Sequence, residues 1–163
     1  MARCVIPNSR RNAGWRSQFH FAVHGCLSRV PGVWALSPTI MRLDNPILFL
    51  ATANAERSRA FYERVLGLAF VADELPALVF RVGDSMLRIQ KVDQVHALPY
   101  TALGWSVSDI RRTVRELSAA GVAFQRYDGM NQDDEGIWHA PSGARVAWFR
   151  DPDGHVLSLT QFK

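Results

Sequence analysis

Apolar and polar positions follow the same order twice along this chain, beginning at residue 46. A continuous apolar run over 46–52 has the length of a buried strand, and residues 55–66 place apolar side chains at helical spacing. Asn54 precedes that helix as a typical N-cap residue, and Gly67 follows it where helices often end. Three further runs predict strands over 68–73, 77–82 and 85–92. The order is that of a βαβββ module, whose helix is expected to bury Ala60, Phe61, Val65 and Leu66.

The second copy begins 54 residues later, with residues 121–124 (GVAF) repeating 67–70 (GLAF). Its helix is capped by Ser108 or Asp109 and closed by Gly121. Its predicted strands are 101–107, 122–127, 144–150 and 155–162, the last two joined by the turn 151–154. We therefore predict an α+β fold with two βαβββ modules, 46–92 and 100–162, whose sheets form a partly open, barrel-like cleft.

The segment 128–143 enlarges the second copy only. It is polar, contains glycine, carries the acidic run 133–135 and includes Trp138. Long loops on compact domains are more often functional than idle. We expect this loop to take part in function, and its acidic run to be a solvated face.

Charge is distributed unevenly along the chain. The 19 Lys and Arg residues exceed the 15 Asp and Glu residues, for a net charge of +4. Five of the arginines lie in residues 1–40, which hold no acidic residue, so from Met41 onward 14 basic residues face 15 acidic ones. A nucleic-acid partner needs a basic surface on the folded part, and none is predicted. No apolar run reaches the ~18 residues of a membrane span, so no membrane partner is predicted.

Residues 1–40 differ in kind from the rest of the chain. They lack a sustained period, and both cysteines, Cys4 and Cys26, lie within them, so 41–163 offers neither a disulfide nor a thiolate metal site. We interpret 1–40 as an extension, disordered or upstream of a natural start at Met41. Two alternatives stay open: an export signal around Arg10 and Arg11, and a metal held by His20, His24 and Cys26.

Two spaced motifs resemble those of a known family. Residues 54–62 (NAERSRAFY) with 66–68 (LGL) resemble the first helix of the vicinal oxygen chelate superfamily, and 151–155 (DPDGH) with 157–159 (LSL) resemble its last turn and strand. The family includes glyoxalase I, bleomycin-resistance proteins and extradiol dioxygenases. The resemblance covers about 46–162, and it implies paired βαβββ modules in a U-shaped, partly open barrel and a homodimer.

The resemblance also implies positions for a divalent metal, which family enzymes bind through His, Gln or Glu. Carried over by motif spacing, these positions are Ile47, Arg88, Ala102 and Ser158. Alkyl side chains have no lone pairs, a guanidinium repels a cation, and a neutral hydroxyl is a weak ligand. We therefore expect a cleft without a metal or other cofactor.

Strand alternation predicts which residues face that cleft. The predicted face comprises Ile47, Phe49, Met86, Arg88, Gln90, Ala102, Gly104, Ser106, Val156, Ser158 and Thr160, and the opposite, apolar set packs under the helices. The residues predicted to bind a ligand are Phe49, Met86, Arg88, Gln90, Ser106, Trp138 and Ser158.

Several side chains in this set have more than one interpretation. Arg88 could clamp a ligand carboxylate or phosphate, pair with a carboxylate of a dimer mate, or reach into solvent. The catalytic residues are unknown; His139 is the candidate general base, whereas His155 is expected at the surface. Rings near the cleft mouth could supply stacking surfaces or belong to the core, namely Tyr100, Tyr127, Trp138 and Trp148.

The sequence favours a cytoplasmic binding protein of the bleomycin-resistance type, which holds a small ligand with aromatic or anionic groups and needs no metal. Whether it is an enzyme stays open. The alternatives are a glyoxalase-like lyase or dioxygenase-type enzyme using groups such as His139 and Glu63, and a dimeric scaffold without a ligand.

Overall fold

A computed structural model describes residues 45–163, which form two consecutive modules. The first module comprises β1 (Ile47–Thr52), α1 (Ala55–Ala60), β2 (Ala69–Asp73), β3 (Ala77–Val82) and β4 (Ser85–Lys91). The second comprises β5 (Thr101–Ser106), α2 (Ile110–Ala119), β6 (Trp138–His139), β7 (Arg145–Arg150) and β8 (Val156–Gln161). The predictions for 1–40, including the export and metal alternatives, lie outside the described residues.

Each module builds a mixed four-stranded sheet. The strand orders are β1-β4-β3-β2 and β5-β8-β7-β6, and in each sheet the first strand pairs in parallel with the last strand of its module. All other neighbours are antiparallel. The predicted α+β class with two modules is confirmed.

Both helices begin at the caps that the sequence indicates. The Asn54 side chain accepts a hydrogen bond from the Arg57 N–H at 3.0 Å. Asp109, rather than Ser108, caps α2 and accepts from the Arg112 N–H at 3.1 Å. Each cap satisfies a backbone donor that the first helical turn leaves unpaired.

The first helix departs from prediction after Ala60. It continues as a π-helical turn, Phe61–Val65, in which the Leu66 N–H donates to the Phe61 carbonyl five residues back, at 3.0 Å. The wider turn changes which side chains face inward. Tyr62 is fully buried, whereas the predicted face of Ala60, Phe61, Val65 and Leu66 is only half-buried.

The predicted strand 122–127 is wrong. Only Phe124 forms a bridge, to Phe149, and the Gln125 N–H donates to the Trp148 carbonyl at 2.7 Å. The Gln132 side chain, rather than a neighbouring strand, binds other backbone groups of this segment. Its Oε1 accepts from the Tyr127 N–H, and its Nε2 donates to the Gln125 carbonyl. The sheet edge is filled by β6, which comes from within the loop 128–143.

The core lies between the sheets and the helices. Its buried strand residues alternate as predicted: Leu50, Leu87, Ile89, Leu103, Leu157 and Leu159. They share the core with Tyr62 and with Ile110 and Val114 of α2. We call the opposite side of each sheet its open face. On the first sheet Ile47 and Phe49 are 53% and 56% exposed, whereas on the second sheet Val156 and Ser158 are buried. Trp148, the cross-strand neighbour of Ser158, helps to cover them.

Within residues 45–163, no helix combines the length and the apolar character that a membrane span requires.

Candidate functional site

Three aromatic side chains lie together on the open face of the second sheet. Trp148 in β7 is central: its ring centroid lies 6.0 Å from that of Trp138 and 5.6 Å from that of Tyr127. The Tyr127 ring stands nearly perpendicular to Trp148, and the Trp148 Nε1 donates to the Thr101 Oγ1 at 3.1 Å. We call Tyr127, Trp138 and Trp148 the aromatic face. Its central indole is held in place by a hydrogen bond and two ring contacts.

A depression of about 260 Å³ adjoins the aromatic face. Its wall includes Tyr100 and Met130 as well as Tyr127 and Trp148. The Tyr100 side chain is 60% exposed. A depression of this size is slightly smaller than the usual range for drug-sized ligands, so it suits a molecule of one or two rings.

A close approach of β5 to β8 shapes the sheet beside these rings. A Cβ atom on Gly104 would come within 2.5 Å of the Ser158 Oγ, so a larger residue there would force that buried hydroxyl to move. Ser158 is 6% exposed, and Ser106 is exposed at the end of β5. Of the three ligand-binding residues predicted in this module, Trp138 belongs to the aromatic face, and Ser158 is the cross-strand neighbour of its central indole. Ser106 lines a different cavity, together with Trp105 and Leu117.

The open face of the first sheet carries the other four predicted residues. Phe49 lies opposite Arg88 in the β1–β4 register, and Met86 and Gln90 flank Arg88 on the same face. Arg88 forms an ion pair with Glu74, which follows β2. Its cationic group therefore has a partner within the chain, a possibility that strand spacing alone did not indicate. Binding by these four residues stays a prediction.

A larger pocket of about 600 Å³ opens where β1 begins and β3 turns into β4. Ile47, Val71 and Met86 supply apolar lining, and Arg81 contributes a cation. Among residues 45–163, no carboxylate forms an ion pair with Arg81. Arg81 was not among the predicted site residues, because only the first and last strands of each module were assigned to the cleft. It lies on β3, opposite Met86 in the register.

The candidate acid–base groups lie away from the open faces. Trp138 pairs with Val146 on the open face, so the next residue, His139, belongs to the helix side. The His139 Nε2 lies 3.5 Å from Asp133. Glu63 accepts from Arg59 along the first helix at 3.0 Å. The structure gives neither His139 nor Glu63 a position from which it could act on a molecule at the aromatic face.

The acidic run in the loop is solvated only at Asp134, which is exposed, whereas Asp133 and Glu135 form ion pairs. Arg111 of α2 donates to Asp133 at 2.8 Å and to Glu135 at 2.7 Å, and Arg115 also binds Glu135. Burial alone would raise the pKa of Asp133. Hydrogen bonds from the Ile137 and Glu135 N–H groups, with His139 and Arg111, outweigh it and lower the pKa below its usual value. The run fastens the loop, and with it Trp138, to α2.

The positions that the family resemblance assigns to a metal do not suit one. Ile47, Arg88, Ala102 and Ser158 provide two alkyl groups, a paired guanidinium and a buried hydroxyl. Residues 45–163 also hold no cluster of three or more His, Cys, Asp or Glu side chains that could bind an ion. We derive no step that uses a metal.

The turn 151–155 joins the second module to the first. The Asp153 Oδ2 accepts from Thr52 Oγ1 at 2.7 Å and from Ser58 Oγ at 2.8 Å, and its Oδ1 accepts from the Ala53 N–H. Burial alone would raise the pKa of Asp153, but these hydrogen bonds and the Arg57 charge lower it. Its side chain is 3% exposed, so an ionised carboxylate is held where the modules meet.

Asp151 makes the second link across the same boundary. Its Oδ2 accepts from the buried Tyr62 hydroxyl at 2.7 Å. Burial raises the pKa of Asp151 despite the opposing hydrogen bond from Tyr62 and the charge of His155. Burial raises the pKa of the Tyr62 hydroxyl, and the charge of the nearby Asp151 raises it further. His155, predicted at the surface, is buried because its Nε2 contacts the Ala51 carbonyl at 2.9 Å.

Comparisons with known proteins agree with this architecture. The family model described as Glyoxalase/Bleomycin resistance protein/Dioxygenase superfamily matches residues 45–159. None of the curated proteins matches the sequence.

Solved structures share the fold at low identity. A glyoxalase family protein from Bacillus anthracis is 16% identical with a TM-score of 0.62, over 76% of this chain and 98% of its own. A superfamily member from Sphaerobacter thermophilus is 20% identical with a TM-score of 0.61, over 76% of this chain and 100% of its own. Lactoylglutathione lyase from Agrobacterium tumefaciens is 16% identical with a TM-score of 0.56, over 71% and 90%. At these identities the likeness concerns the fold alone.

Proposed function

This chain belongs to the Glyoxalase/Bleomycin resistance protein/Dioxygenase superfamily, and from that premise we propose that it binds a small aromatic molecule without a metal ion. The ligand stacks on the aromatic face of Tyr127, Trp138 and Trp148 and enters the adjoining depression. The cytoplasmic location expected from the sequence is part of the same proposal.

One observation carries this proposal: the rings of Tyr127 and Trp138 lie against Trp148 on a sheet face without helices. Core aromatic residues of this chain, such as Phe80 and Phe149, are fully buried, whereas Tyr127, Trp138 and Trp148 are only half-buried. Half-buried rings beside a depression can stack on a planar ligand, and stacking tolerates a range of ring types.

The pairing of Arg88 with Glu74 makes an aromatic ligand a better candidate than an anionic one. A ligand carboxylate at Arg88 would have to displace a carboxylate that is already bound. The enzymatic alternative gains no support from geometry, because His139 and Glu63 contact charged partners on the helix side.

Isothermal titration with 2-naphthol, compared with cyclohexanol, tests the proposal. We expect the aromatic alcohol to bind and the saturated one to bind weakly or not at all. Replacing Trp148 with alanine should weaken 2-naphthol binding roughly tenfold or more, because stacking on one aromatic side chain contributes about 1–3 kcal/mol. Circular dichroism should show an unchanged fold.

The matched control is Phe49→Leu, which removes an exposed ring from the open face of the first sheet. Binding of 2-naphthol should be unchanged in this variant. An equal loss of affinity in both variants would show that the effect is not specific to the aromatic face and would contradict the proposal. Dialysis against EDTA should leave the affinity for 2-naphthol unchanged. If the affinity fell after dialysis and recovered when Zn²⁺ or Ni²⁺ was added, the proposal that binding needs no metal would be overturned.

A further inference from the structure

An arginine at the end of β7 lies beside the aromatic face. Alternation along β7 places Arg150 on the same side of the sheet as Trp148, two residues earlier. The cross-strand neighbour of Arg150 in β8 is Val156, and Val156 pairs in turn with Thr101 of β5. Val156, Thr101 and Trp148 all line the depression that adjoins the aromatic face. Arg150 therefore stands at the rim of this depression, in one cross-strand row with two of its lining residues.

The contacts of Arg150 keep its guanidinium on the open face. Its Nε donates to the Gln125 Oε1 at 3.3 Å. Phe124 packs against the core, with its ring centroid 5.6 Å from that of Phe149, so the next side chain, Gln125, lies on the opposite, open side. The Arg150 Nη1 donates to the Gly154 carbonyl at 2.6 Å, just before β8 begins. Two neutral acceptors thus hold the exposed guanidinium next to the depression.

The charge of Arg150 is not neutralised within residues 45–163, where no carboxylate forms an ion pair with it. Asp151, the next residue, lies on the other side of the sheet, where it accepts from Tyr62 at 2.7 Å. Arg88 on the first sheet differs in this respect, because Glu74 already binds it. A guanidinium also has more N–H donors than the two hydrogen bonds of Arg150 use. Arg150 can therefore receive an anion without giving up its present contacts.

We propose that the aromatic molecule bound by this protein carries an anionic group, such as a carboxylate, and that the Arg150 guanidinium binds that group. This role rests on the proposed function, because the ligand ring must stack on the aromatic face for its substituent to reach the rim. Guanidinium groups bind carboxylates through charge-assisted hydrogen bonds that are often bidentate. The ligand class is then an aromatic acid of one or two rings.

Isothermal titration at pH 7 with 2-naphthoate and 2-naphthamide tests this role, because the two molecules have nearly the same shape and differ in charge. 2-Naphthoate should bind about tenfold more tightly, the effect of one charge-assisted hydrogen bond. High salt should reduce this preference, because it screens exposed charges. In Arg150→Met the two affinities should become equal, whereas Arg150→Lys, which keeps the charge, should retain part of the preference.

The matched control is Arg81→Met, because Arg81 also lacks an ion pair within residues 45–163 but lines the pocket of the first sheet. The preference for 2-naphthoate should persist in this variant. Equal affinities in the wild-type protein, a preference that survives in Arg150→Met, or an equal loss in Arg81→Met would overturn the role of Arg150. If 2-naphthol binds but 2-naphthoate is not preferred, the aromatic face stands and only the role of Arg150 is overturned. If none of the three molecules binds, both are overturned.

Discussion

Asp151 and Asp153 stand two residues apart in one turn, yet their surroundings move their pKa values in opposite directions. Asp153 accepts two hydroxyl hydrogen bonds from the first module, and its pKa is lowered. Asp151 is more deeply buried, and its pKa is raised. The ionised form of Asp153 therefore stabilises the folded state, whereas ionisation of Asp151 costs stability.

These opposite shifts predict different outcomes for two substitutions of the same kind. At pH 7, Asp153→Asn should lower the free energy of unfolding by about 1–3 kcal/mol, because an amide nitrogen cannot accept from Thr52 and Ser58. Asp151→Asn should change it by less than about 1 kcal/mol, because the amide can donate to the Tyr62 oxygen and carries no buried charge. Urea unfolding followed by tryptophan fluorescence measures both.

The opposite pKa shifts of Asp151 and Asp153 predict opposite pH dependences of stability. The Asp153 contribution is present above the unfolded pKa of about 3.9 and is lost as the pH falls through the lower folded value. The Asp151 contribution runs the other way and is lost as the pH rises through its raised folded value. The deficit of Asp153→Asn should thus narrow at acid pH, and equal effects of the two substitutions at pH 7 would show that the turn does not work as described.

The loop 128–143 is positioned by an element to which it is not adjacent in sequence. Arg111 of α2 binds Asp133 and Glu135, and the same loop carries Trp138. These charges are partly exposed, so we expect their contribution to global stability to be under about 1 kcal/mol. Their effect should instead be local, on the order of the loop and on the aromatic face.

Arg111→Ala should therefore speed amide hydrogen exchange in 128–143 several-fold and weaken 2-naphthol binding, with little change in the unfolding midpoint. Mass spectrometry of the exchanged protein measures the first effect. Arg112→Ala is the matched control, because Arg112 pairs with Glu116 within the same helix. Faster exchange in both variants, or in neither, would contradict an anchoring role for Arg111.

How well each element could be predicted depended on where its hydrogen bonds come from. Strand β4 was predicted over 85–92 and spans Ser85–Lys91, since alternation is a local signal. The failure at 122–127 arose because a side chain seven residues away, Gln132, binds the Gln125 carbonyl. The π-helical turn that buries Tyr62 likewise depends on Asp151, 89 residues distant. No periodicity in the sequence could indicate either one.

At the scale of the whole molecule, the candidate site was predicted in part. Alternation assigned Phe49 and Met86 to a face free of helices, and Trp138 was predicted only as a ring of the loop near the cleft mouth. It could not show that Glu74 neutralises Arg88, because that pair depends on how the chain turns after β2. The clustering of Tyr127 with Trp148 depends on the path of a loop without a regular pattern.

The homodimer expected from the family resemblance stays a prediction, and the first sheet suggests where to test it. Ile47, Phe49 and Val71 are each at least half exposed, and contiguous exposed apolar side chains often mark interaction surfaces. Sedimentation equilibrium should show a dimer at micromolar concentration, and Phe49→Asp should shift it to monomer. A monomeric wild-type protein, or a variant that remains dimeric, would place this surface outside any interface.

The hydrogen bond from Thr52 to Asp153 spans 101 residues and carries a consequence for biosynthesis. A ribosome adds about 5–20 residues per second, so roughly 5–20 s separate synthesis of the two partners. During that interval the hydroxyl groups of Thr52, Ser58 and Tyr62 lack the carboxylates that accept from them in the folded protein. The first module must wait, incompletely closed, until Asp153, 101 residues beyond Thr52, has been synthesised. A chaperone that recognises nascent chains would meet it in that state.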